Sequence, residues 1–537
     1  MGFPTEQAMT PSSGSSDALR ATRTTMSPRL DGPLRWFATH TPQATAIVSA
    51  EGAFTYEALW RRVRRMRHSL ESRGLRPGDR IALLMQNSHR YLELYYAAAV
   101  LGTAIVPLNF RCIAADLEYI INHSGADTLV FDSCYAATVA DLRSRLPTVQ
   151  RYVCTDGAAE GALSYEDLID SGLETVPPID ADLSATMVQG YTSGTTGAPK
   201  GCVIPHREWV ECLQNIAALY DIEAADIELV VAPLFHGAPI IFALLQHLRG
   251  GTVVVTKESS PAIICEHIER HRVTWTFMVP TMWHSMVQSP DIHRADLVSL
   301  RVLLSGGAPL LTKTKEMLMQ RLPAAGLHEF YGATELGLVS SLGPYDQRRK
   351  ERCVGKPVPG RIVELRDAQG RCVPIGEVGE IFVRGEIPLK EYFKNPEATA
   401  AARGADGFFT LGDMGRFDEE GYLYIVDRKK DMIISGGENI FPNDIEDILS
   451  RHPAVDLVAV VSAPDSKWGE IVVAAVKLKD DVTASEEELI AHCKTSLSSF
   501  KVPKRVDFYQ ALPLSAFGKI LRREVRRRYW ASSDIQV

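Results

Sequence analysis

Apolar residues recur along most of the chain in short continuous runs, separated by stretches with helical spacing. Residues 80–85 (RIALLM), 104–108, Thr128–Phe131, 229–232 and Thr252–Val255 are such runs, each four to six residues long. That length and continuity predict strands buried on both faces. Residues 62–73 and 91–101 carry the spacing of helices packed on one side. Repeated alternation of the two patterns predicts an α/β fold with layered, mostly parallel sheets. The sequence shows no internal repeat.

Past residue 355 the pattern changes. Arg361–Arg366, 379–384 and 422–426 read as strands cut by Gly, Asp and Pro turns. They predict a small, mostly antiparallel β unit. A charged connector, 427–431 (DRKKD), leads to a compact α+β region. There a helix is expected at Pro442–Arg451, strands at 455–461 and 471–478, and a helix at 485–497. The expected organisation is a disordered leader over 1–30, an N-terminal body over 31–429 and a small C-terminal cap over 430–537.

Composition narrows the partners more than the fold. The chain has 537 residues, longer than a single core supports, so two or more domains are expected. A net charge of -8 leaves no basic footprint, and no nucleic-acid partner is expected. Phosphate-bearing ligands then need a local electropositive site. The nine cysteines are scattered without a C-x-x-C pair, which argues against a disulfide framework or a structural zinc site. A reducing, cytoplasmic setting fits, and Cys202 reads as a small buried thiol. The first thirty residues have no apolar stretch of the signal-peptide kind. The longest apolar run, 230–248, is interrupted by Pro233, His236, Gly237 and Pro239, so no integral membrane segment is expected. Nothing in the sequence forbids a homodimer.

Candidate chemistry begins at residues 191–201, YTSGTTGAPKG. The hydroxyls of Thr192, Ser193, Thr195 and Thr196 are interleaved with Gly194 and Gly197, and Lys200 closes the run. Glycines let backbone N–H groups converge on an anion, hydroxyls add donors, and the lysine adds a point charge. The string suits a triphosphate; a polar linker is the plain alternative. It is not a Walker A loop, because Pro199-Lys200-Gly201 stands where Gly-Lys-Ser/Thr belongs. Further on come LSGGAP at 304–309, YGATELG at 331–337 and FFTLGDMG around Asp413. Glu335 has the chemistry to hold Mg²⁺, Tyr331 to stack on a purine, and Asp413 to accept from a diol. Each has an ordinary alternative as a turn or packing residue. Likewise His236, in APLFHGAP, can be a satisfied core histidine, and Lys519, in PLSAFGKILRREVR, a solvated surface lysine.

In this order the strings closely resemble the adenylate-forming superfamily of acyl-CoA synthetases, peptide-synthetase adenylation domains and luciferases, most of all the AMP-forming acyl-CoA synthetases. The resemblance covers nearly the whole chain. It implies that 31–429 is an AMP-binding domain and 430–537 a mobile cap turning on a hinge at Lys430. It implies ATP, Mg²⁺ and coenzyme A as ligands, with Thr195 and Glu335 at the metal and Lys200 in a loop clamping the β/γ-phosphates. Thr334 would touch the α-phosphate. Gly306, Gly307, Ala308, Tyr331 and Gly332 would border the adenine, and Asp413 and Arg428 the ribose. Lys519 would bridge carboxylate and α-phosphate. His236 would orient the carboxylate at the mouth of an acyl pocket formed by Phe235, Met278, Met282 and Trp283. Gly436, Gly437, Lys467, Trp468 and Lys501 would approach coenzyme A.

The implied reaction is activation of a small carboxylic acid to an acyl-adenylate, then thioester formation with coenzyme A. Transfer to a carrier-protein thiol or an amine is the alternative, as is a member specialised for one half-reaction. A nucleotide-binding regulator without turnover is the alternative outside enzymes. Phe517 departs from the family pattern, which usually has a small hydroxyl residue before the Gly-Lys pair. The pocket segments are apolar and offer no acidic partner for an α-amine, so an apolar or aromatic acid is expected rather than an amino acid.

Overall fold

The computed structural model describes residues 28–175, 182–192, 198–515 and 519–531. Six apolar strands pair in parallel, in the order Thr45–Ser49, Thr252–Val255, Ile227–Val230, Trp275–Met278, Val302–Gly306 and Gly326–Ala333. Antiparallel strands close both ends of this nine-stranded sheet. A second sheet of eight strands is parallel through Ala104–Pro107, Arg80–Leu84, Thr128–Phe131 and Arg151–Cys154. Its other side carries the antiparallel pair Thr186–Thr192 and Lys200–Pro205. The glycine-rich string thus joins two hydrogen-bonded strands, with both stems fixed.

Both sheets contribute to one core, which also takes in helices His89–Leu101 and Gly237–Arg249. Nearly all of His89–Leu101 is buried, so its charged residues need partners. Glu93 accepts from Arg62 and Tyr165, and Arg90 donates to Glu51 and Glu166. The apolar run 230–248 divides into a strand end, a loop and the helix Gly237–Arg249. Pro239 falls in the helix's first turn, where a missing N–H breaks no helical bond. Among the described residues, no helix is long and apolar enough to cross a membrane.

The small β unit is a four-stranded antiparallel sheet of Arg361–Arg366, Gly379–Gly385, Asp413–Phe417 and Leu423–Arg428. The last strand runs two residues into the expected connector, so Asp427 and Arg428 belong to the sheet. The C-terminal part folds around the long antiparallel pair Val455–Asp465 and Gly469–Leu478. Helices Pro442–Arg451 and Glu486–Lys494 cover one face of that sheet, and Arg522–Trp530 the other. Residues 1–27 of the expected leader lie outside the described residues. Leu30 is buried and donates its N–H to His206 Nε2 at 3.0 Å, so the packed body begins before residue 31.

Gly355 ties the small β unit to the nine-stranded sheet: Leu423 N–H donates to its carbonyl at 2.7 Å. Its φ is +87°, and an added Cβ would lie 1.9 Å from the Ser341 carbonyl oxygen. Gly355→Ala should destabilise the chain by about 2 kcal/mol or more, read as a loss in denaturant midpoint. An unchanged midpoint would contradict this account of the junction.

Candidate active site

Three segments distant in sequence meet beside the end of Thr186–Thr192. Thr192 Oγ1 and Tyr392 Oη both donate to Glu335 Oε1, each at 3.1 Å. Glu335 is buried and follows the strand Gly326–Ala333. Lys200 holds its ammonium 5.2 Å from the centre of the Tyr392 ring. Cys202 is fully buried next to Thr192, as expected of a packing thiol. Ser193, Gly194, Thr195, Thr196 and Gly197 lie outside the described residues. Thr334 faces the same corner: a Cβ built on Gly190 would sit 3.6 Å from its methyl group, and one on Gly237 3.9 Å from its hydroxyl. Gly332 is required by space, because a Cβ there would lie 2.4 Å from the Gly337 carbonyl oxygen.

A second cluster forms on the other side of Tyr331. Its hydroxyl donates to Asp413 Oδ2 at 2.6 Å, and Arg428 Nε donates to Asp413 Oδ1 at 3.1 Å. Burial, then the Asp413 charge, pushes the Tyr331 phenol well above its ordinary range, so it stays a donor. Gly306 ends the strand Val302–Gly306 against the face of Phe330, with a Cβ–ring distance of 2.6 Å for any larger residue. Gly307 follows with φ +82° and is exposed, with the half-buried Ala308 beside it. Phe330 thus covers Gly306, and the exposed backbone just past this strand is that of Gly307.

Lys519 joins this cluster from the cap. It keeps contact with solvent yet is crowded by protein atoms. Its ammonium is pushed down to about 8 by desolvation first, then by Arg428 and Arg522, against the opposing pull of Asp413 and Asp431. Ser515 and Lys519 are tied to each other: Ser515 N–H donates to the Lys519 carbonyl at 2.6 Å, and Lys519 N–H to Ser515 Oγ at 3.0 Å. Phe517 lies outside the described residues.

His236 precedes the helix Gly237–Arg249 with its ring 4.2 Å from that of Phe235. Burial, then Arg111, pushes the imidazole down to about 3, so it is neutral near pH 7. That suits a positioning group and not a base. The expected pocket walls are only partly right. Met278 and Trp283 have no accessible surface and pack in a second core with Leu303 and Leu318, and the indole donates to the Leu304 carbonyl at 3.1 Å. They present nothing to a ligand. Strand alternation explains the error at Met278, since Phe277 points to the other face, while Trp283 lies on the buried side of the helix Pro280–Gln288. Among the apolar side chains that keep partial exposure against the main core are Ala238, Ile241, Met282 and Phe330.

The residues expected at coenzyme A are grouped apart from this site. Gly436 and Gly437 have φ +59° and +88°, and a Cβ on Gly436 would meet the Trp468 ring at 2.7 Å. Lys467 lies over the same indole. Lys501 is instead bound to Asp444 at 2.9 Å, alongside Arg352 of the body. Lys430 is exposed, and its ammonium is lowered by the surrounding protein atoms and by Arg428. Tyr392 and Arg522 are the site-building residues that the sequence reading missed. An aromatic among charged residues and one arginine in a basic helix carry no one-dimensional signal.

The AMP-binding enzyme profile matches residues 34–393, and the profile for the AMP-binding enzyme C-terminal domain matches residues 444–519. The chain belongs to the AMP-binding enzyme family. Among its relatives is the feruloyl-CoA synthase of an Amycolatopsis species, 38% identical over 491 residues that cover 91% of this chain and 96% of that protein. The long-chain-fatty-acid–CoA ligase FadD13 of Mycobacterium tuberculosis is 34% identical over 507 residues, covering 93% and 98%. Among solved structures, ATP-bound MatB from Rhodopseudomonas palustris matches with a TM-score of 0.86 and 29% identity, over 94% of this chain and 99% of that one.

Two predictions follow from the geometry. Tyr392→Phe removes one of two donors to Glu335 and should lower ATP-dependent turnover about three- to tenfold, with the folded state retained by circular dichroism. Turnover at the wild-type rate would deny Tyr392 a part in orienting Glu335. Lys519 is cationic below its lowered value and neutral above it. A step that needs the ammonium should therefore decline as pH rises through about 8, read in kcat/KM for ATP, which reports the free enzyme. A flat profile from pH 7 to pH 9.5 would contradict the charge assignment.

Proposed function

We propose that the chain is an ATP-dependent acid–thiol ligase that makes an acyl-adenylate and passes the acyl group to coenzyme A. The observation that carries the reading is the gathering of the Glu335–Thr192 pair and the Asp413–Arg428 pair about Tyr331, with the Lys519 ammonium within electrostatic reach of Asp413 and Arg428.

In this reading the substrate carboxylate attacks the α-phosphorus of ATP, a P–O bond forms to the acid, and the bond to pyrophosphate breaks. The acid is already ionised near neutral pH, so no base is needed. Catalysis is then positioning and charge neutralisation. Asp413 accepts from the ribose hydroxyls while Tyr331 and Arg428 keep its carboxylate oriented. The exposed backbone at Gly307 leaves room for adenine. Lys519 neutralises charge between carboxylate and α-phosphate, Lys200 does so on the outer phosphates, and neutral His236 orients the acid. Mg²⁺ fits a buried carboxylate flanked by hydroxyls, since this ion usually takes one or two carboxylates and completes its shell with phosphates and water. Glu335 would hold it, with Thr195 as its partner, and it would supply further charge neutralisation.

The part-exposed apolar residues Met282, Ile241, Ala238 and Phe330 favour an apolar or aromatic acid. The named relatives act on a feruloyl acid and on long-chain fatty acids, and both names specify coenzyme A as acceptor. The body and the cap would turn about Lys430, bringing the Gly436–Gly437 hairpin and Trp468 to the site for thioester formation.

A panel of carboxylic acids scored by pyrophosphate release, with and without coenzyme A, tests the function; no release with any acid would end it. Lys519→Ala should reduce acyl-adenylate formation by about 100-fold or more. It should leave thioester formation from preformed acyl-adenylate within about threefold of wild type. Equal loss in both half-reactions would count against the role given to Lys519.

A further inference from the structure

We propose that Asp427 is a positioning residue: its buried carboxylate is the dock that holds the cap where Lys519 faces the nucleotide site, with Arg522 as its counterpart on the cap. The proposal rests on the function given to Lys519 above.

Asp427 and Arg428 end the strand Leu423–Arg428, and successive strand residues point to opposite faces. Arg428 turns to Asp413. Asp427 turns the other way, towards the cap, and is 2% exposed. Its Oδ1 accepts from Arg522 Nη1 at 2.9 Å and from the Arg428 N–H at 2.8 Å. Its Oδ2 accepts from the Asn443 N–H at 3.1 Å. Asn443 lies in the first turn of the cap helix Pro442–Arg451, whose own N-cap residue, Phe441, supplies no side-chain acceptor. A carboxylate of the body thus satisfies an orphan N–H of a cap helix and meets the positive end of its dipole. Asn443 Nδ2 returns a bond to the Val426 carbonyl at 2.9 Å.

Arg522 follows Lys519 by three residues and opens the helix Arg522–Trp530. Its guanidinium is shared: Nε donates to Glu446 Oε1 at 2.8 Å, and Nη2 to Asn443 Oδ1. Glu446 also accepts the Val460 N–H at 2.8 Å. A continuous chain of contacts therefore runs from the strand that carries Arg428, through Asp427 and Arg522, to the loop that carries Lys519. Only the contacts to Asp427 and Val426 cross from body to cap in this group; those of Arg522 with Glu446 and Asn443 stay within the cap. Loss of Asp427 leaves Arg522 paired inside the cap, so the docking should fail while the cap stays folded. Among the described residues, the other charged pairs across the junction, Arg352 with Asp444, His284 with Asp456 and Arg451 with Glu351, are more exposed and more screened.

Asp427→Asn keeps the shape and removes the charge. Expected is a fall of about tenfold or more in kcat for acyl-adenylate formation, which corresponds to about 1.4 kcal/mol of barrier. KM for ATP should stay within about twofold, because the Asp413–Arg428 pair is untouched, and thioester formation from preformed acyl-adenylate should also stay within about twofold. A purely structural role would depress both half-reactions together. Arg522→Lys, which keeps the charge but loses the planar fork, should shift the same ratio in the same direction and serves if the Asn variant does not fold. Equal losses in both half-reactions, or wild-type adenylation by a folded Asp427→Asn chain, would overturn the proposal. Lys519→Ala run in parallel separates the two claims: if it adenylates normally, the role of Lys519 falls, and the dock falls with it.

Discussion

The register of one short antiparallel pair governs the site. Asp413 stands directly opposite Arg428 where Asp413–Phe417 meets Leu423–Arg428. That pairing makes the carboxylate and the guanidinium cross-strand neighbours, and Tyr331 from the large sheet closes the third side. A slip of one residue would turn every side chain to the opposite face. Arg428 would then point at the cap and Asp427 at the nucleotide site, reversing the charge in both places. The small β unit is thus a ruler that sets two surfaces at once.

Local charge then resolves a tension posed by composition. The chain is net acidic, at -8, yet the proposed ligand carries several phosphates. Cations are concentrated where they are needed: Arg428 lies close enough to perturb both Lys430 and Lys519, and Arg522 to perturb Lys519. Crowding has a cost, visible in the lowered ammonium of Lys519. A bound polyphosphate offsets that cost, because an opposite charge nearby favours the cationic form. The arrangement is therefore better satisfied with ligand than without it, which is the condition for binding energy to act on charge that develops in the reaction.

Much of this was legible in the chain itself. The runs Thr128–Phe131 and Thr252–Val255 and the helix Pro442–Arg451 fall where periodicity put them, because each is a simple amphipathic or fully buried segment. The motif residues Thr192, Glu335, Tyr331, Asp413 and Arg428 do converge. What failed was the assignment of side chains to faces. Met278 and Trp283 were read as pocket walls from their chemistry, but in a strand covered on both sides, or on a helix between two cores, an apolar residue gives no sign of which core it joins. Tyr392 and Arg522 were missed for a related reason. Their roles exist only once segments more than fifty residues apart are brought together, and a single tyrosine or arginine carries no spacing signal.

Arg522 also shows why a buried ion pair suits a joint better than an apolar seam would. Paired charges removed from water add little net stability, since desolvation opposes their attraction. Burial alone pushes the Asp427 carboxyl upward, and Arg522 pulls it back only in part. The contact is therefore directional without being strong: it rewards one orientation of the cap steeply and contributes little to folding as a whole. An apolar seam of the same extent would bind more tightly and tolerate several orientations, because hydrophobic contact is non-directional. In the proposed reaction cycle, a cap that presents Lys519 accurately and then leaves is better served by the charge pair.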